Sequence, residues 1–113
     1  MKVIYNTMRS LFWGLVNSAL RRDPRLLFSS VISFYLPKSV HLPHPVGIVI
    51  GKGVTFGDNV IIMQNVTIGV ARLGESKAPR IGSNVLIGAG AVVVGDIYIP
   101  DNTVIRANAV VTS

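Results

Sequence analysis

A large apolar residue occupies every sixth position of the chain from residue 50 onward, with one interruption. The members of this register are Ile50, Phe56, Ile62, Ile68, Ile81, Ile87, Val93, Ile99, Ile105 and Val111. Three positions after them stand only glycine, asparagine or aspartate: Gly53, Asn59, Asn65, Asn84, Gly90, Asp96, Asn102 and Asn108. These residue types tolerate left-handed backbone conformations, so each of them favours a corner. Short strands bent at regular corners predict a parallel β-helix.

The first third of the chain shows a helical spacing of apolar residues instead. Intervals of three and four residues, which place side chains on one helix face, separate Ile4, Met8, Leu11, Leu15 and Ala19. Asp23 followed by Pro24 is a helix start signal, because aspartate caps a helix N-terminus and proline suits its first turn. A second helix is therefore predicted from about Pro24 to Tyr35. We expect a helical hairpin over residues 1–37 and a β-helix over residues 38–113.

Most of the positive charge lies in the same first third. The chain has 11 Lys and Arg against 5 Asp and Glu, and residues 1–43 hold six of the basic residues with Asp23 as their single acid. Two interpretations of these basic helices are open. They pack on the rest of the protein or on another copy, or they lie on an anionic membrane as a peripheral contact. A nucleic-acid interface is disfavoured, because the basic residues are scattered and do not alternate with aromatic residues.

Composition narrows the class of protein further. Half of the residues are hydrophobic and 14% are charged, which is typical of a folded domain and not of a disordered chain. The length of 113 residues suits one small domain, and its apolar surplus favours burial against other copies. With no cysteine, a disulfide framework, a thiolate metal site and a cysteine nucleophile are excluded. No apolar run reaches membrane-spanning length or forms a signal-peptide core, so we expect a cytoplasmic protein.

The six-residue register is interrupted once, over residues 69–80. This segment breaks the pattern and carries three cations, Arg72, Lys77 and Arg80. A loop ejected from a regular solenoid is a common place for function, so the three cations are candidate substrate-binding residues. The alternative is an insertion that the fold merely tolerates.

The two histidines of the chain are His41 and His44. His44 falls in the phase of the register that Ile50 continues, where an imidazole is unusual. Its functional interpretation is a general base, since histidine titrates near neutral pH and takes a proton from a hydroxyl. Its structural interpretation is a buried imidazole bonded to a backbone carbonyl, or a residue at the ragged start of the first coil. Two histidines with no nearby carboxylate or cysteine make a poor zinc site, so no metal is expected.

Three runs that contain these residues resemble a known family. They are HPVGIVIG at 44–51, NVIIMQNVTIG at 59–69 and IGSNVLIGAGAVVVG at 81–95. They resemble the hexapeptide acyltransferases, and in particular the serine O-acetyltransferases and their relatives that act on bacterial surface polysaccharides. The resemblance implies a left-handed β-helix, with three hexads to a triangular coil, that assembles as a homotrimer.

The same resemblance implies a reaction and a site. The reaction is direct transfer of an acetyl group from acetyl-CoA to a hydroxyl, and His44 matches the histidine that deprotonates the acceptor. The CoA would lie in the groove between two subunits. Ala89 and Ala107 match small positions beside its pantetheine arm, and Gly69 lies near the thioester.

The chain also departs from the serine O-acetyltransferases. They carry an aspartate directly before the catalytic histidine, where this chain has Pro43, and a loop histidine where it has Ala78. No acidic residue lies between Asp23 and Asp58 to orient His44. These departures favour a hydroxyl of another small molecule or of a saccharide over free serine as the acceptor.

Three alternatives remain beside this interpretation. The first is a non-catalytic β-helix that serves as an oligomerisation module, or a decayed or truncated acetyltransferase. The second is a serine O-acetyltransferase of cysteine biosynthesis. The third is a metal-dependent hydratase that resembles the gamma-class carbonic anhydrases, which is disfavoured because that family uses three histidine ligands.

Overall fold

The computed structural model describes residues 30–32 and 36–113, which form short parallel strands and no α-helix. The strands are β1 (Val31–Ile32), β2 (Val40–His41), β3 (Val49–Ile50), β4 (Thr55–Phe56), β5 (Val60–Ile62), β6 (Thr67–Gly69), β7 (Arg80–Ile81), β8 (Leu86–Ile87), β9 (Val92–Val94), β10 (Tyr98–Ile99), β11 (Val104–Ile105) and β12 (Val110–Thr112). Over these two ranges, no helix has the length and apolarity needed to cross a bilayer.

The strands belong to three sheets that form the three sides of a coil. Sheet A has the order β1-β3-β6-β9-β12, sheet B the order β11-β8-β5-β2 and sheet C the order β10-β7-β4. Every pairing is parallel, and from β2 onward successive strands enter sheets B, A and C in turn. The described chain is therefore a three-sided parallel β-helix, as the six-residue register predicted.

The core runs along the axis of the coil as stacked aliphatic side chains. Register pairs such as Ile50 with Ile68 and Ile68 with Val93 bring members of the six-residue register into direct contact between coils. The completely buried members are Ile50, Ile62, Ile68, Ile87 and Val93. Burial of these side chains is the main source of stability, because removing apolar surface from water is favourable.

The corners use the residue types that the sequence pattern predicted. Left-handed φ angles of 55–63° occur at Asn59, Asn65, Asn84, Asn102 and Asn108, and Gly53 and Gly90 also have positive φ. The prediction is wrong at Asp96, because the positive φ falls one residue earlier, at Gly95, with a φ of 104°. Glycine adopts this conformation without the steric cost that a Cβ atom brings, so it takes the corner from the neighbouring aspartate.

The loop at 69–80 is an insertion into one corner. Paired residues of successive coils are 18 positions apart for Arg80 and Tyr98 but 25 positions apart for Thr55 and Arg80. The loop therefore adds seven residues between β6 and β7 without adding a strand. Residues 71–77 of the loop are exposed, and Ala78 and Pro79 are buried where the chain returns to the coil.

The helix predicted over 24–35 is wrong at Val31 and Ile32. These two residues form β1 and pair in parallel with Val49 and Ile50. Both are β-branched, which favours strand over helix when a neighbouring strand is available for pairing. Ser30, Leu36 and Pro37 are not helical either, and residues 1–29 and 33–35 of the predicted hairpin lie outside the described residues.

Candidate functional site

One edge of the coil carries three of the predicted site residues. At this edge the chain passes from sheet B to sheet A in every coil. Backbone hydrogen bonds join successive coils along it, from Asn65 N to the Val46 carbonyl at 2.9 Å, from Gly90 N to the Gln64 carbonyl at 2.9 Å and from Asn108 N to the Ala89 carbonyl at 2.8 Å. We call this the histidine edge, and it carries His44, Gln64, Ala89 and Ala107.

His44 lies at the start of the histidine edge and its side chain is exposed. The buried-imidazole interpretation of His44 is therefore wrong. The residue lies in a tight turn, in which Val46 N donates a hydrogen bond to the His44 carbonyl at 2.8 Å. Gly47 completes the turn with a φ of 66°. An exposed imidazole can reach a bound hydroxyl, which a buried one could not do without rearrangement.

A shift of register explains why His44 is outside the core. Val49 follows Val40 by nine positions, whereas their partners in the next coil, Val60 and Thr67, are seven positions apart. The corner that carries His44 is thus two residues longer than the corner stacked on it. In this register Leu42, not His44, falls beside Ile62, and Leu42 is buried at 6% exposure.

The predicted CoA contacts lie near opposite ends of the strands of sheet A. Ala89 is half-buried and Ala107 is exposed, both on the histidine edge. Gly69 is at the opposite end of β6, paired with Val94. A Cβ atom placed on Gly69 would meet no atom within 4 Å. Gly69 therefore faces open space, but the structure does not bring it to the same edge as the two alanines.

Gln64 is a residue of the histidine edge that the sequence interpretation missed. Its Oε1 atom is buried and has no hydrogen-bond partner within the described part of the chain. Buried polar atoms are nearly always paired, so this unpaired acceptor is an exception among the described residues. No sequence signal distinguishes Gln64 from an ordinary polar corner residue.

The loop cations converge on an aspartate of the next coil. Arg80 Nη1 lies 3.0 Å from Asp96 Oδ1, and Lys77 Nζ lies 3.6 Å from Asp96 Oδ2. The hydrogen bond from Arg80, together with the charge of Lys77, holds the pKa of the Asp96 carboxyl below its ordinary value. Two of the three cations thus have an intramolecular partner. Asp96 was predicted only as a corner residue, although an acid in a series of Gly and Asn was a signal for a different role.

Arg72 lines an open depression between the loop and this corner. The depression has a volume of about 530 Å³, and its other lining residues include Glu75, Lys77, Asp96 and Ser113. Two acidic and two basic residues line it, so it has no uniform charge that would select one class of ligand. Over residues 30–32 and 36–113, no group of three His, Cys, Asp or Glu side chains could hold a metal ion.

Comparison with known proteins gives a family and several relatives. Residues 78–113 match the family described as bacterial transferase hexapeptide (six repeats). The chain is 49% identical over 75 residues to a serine acetyltransferase of Staphylococcus aureus strain Mu50 and 47% identical to one of Staphylococcus epidermidis. Each match covers 66% of this chain and 35% of the relative, so the chain spans about a third of the length of these relatives.

Solved structures agree with this relationship. Serine acetyltransferase isoform 3 of Entamoeba histolytica, in complex with cysteine, matches with a TM-score of 0.59 and 39% identity over 66% of this chain and 27% of that one. The native serine acetyltransferase 1 of the same organism matches with a TM-score of 0.57 and 31% identity, over 66% of this chain and 33% of that one.

Residues 78–113 thus carry the repeat of the bacterial hexapeptide transferases, and the coil is similar to part of the serine acetyltransferases.

Proposed function

We propose that the protein transfers an acetyl group from acetyl-CoA to the hydroxyl of serine, with His44 as the general base. The observation that carries the proposal is the position of His44, which is exposed on the edge that also holds Ala89 and Ala107. Identity of 49% to a serine acetyltransferase favours serine as the acceptor over the saccharide that the departures at Pro43 and Ala78 favoured.

The reaction needs one proton acceptor and no enzyme nucleophile. The neutral imidazole of His44 takes the proton of the serine hydroxyl while the hydroxyl oxygen forms a bond to the thioester carbonyl carbon. The carbon–sulfur bond then breaks, and the CoA sulfur leaves as a thiolate and receives the proton from the imidazolium. The products are O-acetylserine and CoA, and His44 returns to its neutral form.

The histidine edge fits the pantetheine arm of CoA. Its small residues, Ala89 and Ala107, leave the backbone accessible to an extended ligand. Gly69 would leave room for the ligand at the far end of β6, where a Cβ atom meets nothing within 4 Å.

A homotrimer belongs to the same proposal, as does the left-handed sense of the coil. Exposed apolar side chains flank the histidine edge on both sides: Leu86 and Val104 on sheet B, and Val49 and Val110 on sheet A. Val104 and Val110 are 65% and 68% exposed. A neighbouring copy would cover these side chains and close a groove over the histidine edge, because apolar surface of this kind is stabilised by burial.

Two other functions remain as alternatives. A saccharide acceptor is favoured by Pro43, because serine acetyltransferases carry an aspartate at that position. A non-catalytic oligomerisation module would keep the coil and its apolar faces without the chemistry. The two are separated by whether the protein binds and consumes acetyl-CoA.

The test follows CoA release from acetyl-CoA with serine and with a panel of sugars. We expect serine-dependent release that is lost in His44→Ala and retained in His41→Gln, which changes the other histidine, in β2 directly before the corner. CoA release with sugars but not with serine would show that the acceptor is a saccharide and that the reaction is still acetyl transfer. No release with any acceptor, together with no binding of CoA, would overturn the proposal in favour of the non-catalytic module.

A further inference from the structure

A buried serine, Ser30, makes two hydrogen bonds to the backbone of the corner that carries His44. Ser30 is 3% exposed. Its Oγ donates a hydrogen bond to the Pro45 carbonyl at 3.1 Å and accepts one from Ile48 N at 3.1 Å. A single hydroxyl therefore closes the segment between these two residues, directly after His44.

Both backbone groups of Val46, inside this segment, are also hydrogen-bonded. Val46 N donates to the His44 carbonyl, and the Val46 carbonyl accepts from Asn65 N in the next coil. Gly47 has a left-handed φ of 66°, and a Cβ atom on it would overlap the Asn65 side chain. The turn is thus fixed to the preceding coil through Ser30 and to the following coil through Asn65.

The two prolines beside His44 limit its backbone further. The ring of Pro43 fixes its own φ, and the ring of Pro45 disfavours the helical region for the residue before it, which is His44. The carbonyl of Pro45, the residue next to His44, is held by its hydrogen bond from Ser30. The Cα of His44 is therefore adjacent to a backbone segment of fixed position. The imidazole is therefore left with little more than the rotation of its own side chain.

Serine is the residue type that suits this position. A hydroxyl donates one hydrogen bond and accepts others, so it can serve a carbonyl and an N–H group together. Pro45 and Ile48 are both buried, and without the hydroxyl their carbonyl and N–H groups would lose this partner in a place that water does not reach. Alanine offers neither bond, and threonine offers both.

We propose that Ser30 is a positioning residue, which fixes the place and direction of the His44 Cα–Cβ bond, and so the reach of the imidazole, through the backbone of the corner. This inference rests on the proposed function. The backbone of the corner is then the part that limits His44, in a chain with no acidic residue between Asp23 and Asp58. Ser30 does not touch the acceptor and acts only through the turn.

The kinetic test compares Ser30→Ala and Ser30→Thr with Ser39→Ala as the matched control. Ser39 is on another corner, where its hydroxyl bonds Asp58 Oδ1 at 3.5 Å on the exposed surface. For folded Ser30→Ala we expect kcat to fall about tenfold or more, with KM for both substrates within about twofold of wild type, since misplacement of a catalytic group costs turnover rather than binding. Ser30→Thr should recover most of kcat, and Ser39→Ala should match wild type.

Two measurements keep the inference testable if stability also changes. If Ser30→Ala does not fold, Ser30→Cys retains the size with a weaker donor and acceptor and should give an intermediate kcat. In nuclear magnetic resonance spectra, Ser30→Ala should shift the imidazole signals of His44 but not those of His41, and should accelerate exchange of the Ile48 amide proton.

The failures of the two proposals differ. A folded Ser30→Ala with wild-type kcat and unchanged His44 signals would overturn the positioning role and leave acetyl transfer intact. A wild-type protein that transfers no acetyl group would overturn the proposed function, and the His44 signals and Ile48 exchange would then decide alone whether Ser30 orients the imidazole.

Discussion

Val40 pairs with Val60, twenty residues further along the chain, although the next strand keeps the eighteen-residue spacing of Val49 with Thr67. The two additional residues lie in the corner between β2 and β3. They bring Leu42 into the core and leave His44 exposed at the surface. The placement of the proposed base is therefore a consequence of strand register, which core packing determines.

Leu42→Ala tests this register. Because Leu42 is buried at 6% exposure, its truncation should lower the free energy of unfolding by about 2–5 kcal/mol. Leu73→Ala is the control, since Leu73 is fully exposed in the loop and its truncation should cost less than about 1 kcal/mol. Chemical denaturation of both variants measures the difference. Equal losses would contradict the assignment of Leu42 to the core column.

Gly69→Ala tests the proposed location of CoA. No atom lies within 4 Å of a Cβ atom at this position, so the variant should keep the melting temperature of wild type. If CoA occupies that space, KM for acetyl-CoA should rise several-fold while KM for serine stays the same. Gly88→Ala is a contrast, because its Cβ atom would lie 2.5 Å from Ala107 N and should lower stability. An unchanged KM for acetyl-CoA in Gly69→Ala would remove Gly69 from the site.

Asp96→Asn tests the attachment of the loop. The carboxylate bonds Arg80 and lies beside Lys77, so its loss should loosen the loop and speed tryptic cleavage after Arg72 and Lys77. Asp101→Asn removes the same charge from a different corner, where Asp101 Oδ1 accepts from Ser83 N, and should leave cleavage of the loop unchanged. Similar cleavage rates in wild type and Asp96→Asn would show that the loop is held by other contacts.

The pH dependence of the loop follows from the pKa of Asp96. Its hydrogen bond to Arg80 lowers that pKa below the ordinary value of 3.8. The attachment should therefore be complete above this ordinary value and be lost as the pH falls through the lowered one, when the carboxylate is protonated. The Arg80 side-chain resonance should stay constant from neutral pH down to about pH 4 and move below it. A change centred near neutral pH would contradict the assignment.

Val104→Lys tests the proposed trimer. Val104 is 65% exposed beside the histidine edge, so a charge there should dissociate the assembly and reduce activity with it. Tyr98→Lys is the control, because Tyr98 is 55% exposed on sheet C, away from the histidine edge. Light scattering reports the assembly state of each variant. A wild-type monomer would contradict the trimer directly.

The coil could be predicted from the sequence because its repeat has a local cause. Each corner needs a residue that tolerates positive φ. Asn59 and Gly53 are of residue types with this preference, and both have positive φ in the structure. The corner at Asp96 was misassigned because Gly95 next to it has the stronger preference. Val31 and Ile32 were assigned to a helix because their strand partners lie eighteen residues away, beyond the reach of local patterns.

The candidate site was predictable only in part. The phase of the register identified His44 as unusual, but the register shift that exposes it depends on core packing over two coils. The pairing of Lys77 and Arg80 with Asp96 depends on how the loop folds back, which no spacing specifies. Ser30 had no sequence signal, since its two bonds cross fifteen and eighteen residues.

The role of His44 as the general base is tested most directly by the rate at which wild type and His44→Ala form O-acetylserine, measured by mass spectrometry at saturating acetyl-CoA. We expect kcat/KM for serine to fall by about 10²–10⁴-fold in His44→Ala, the usual contribution of a general base. The variant should keep its melting temperature and its affinity for CoA. Equal formation of O-acetylserine by both proteins would contradict the role of His44 as the base.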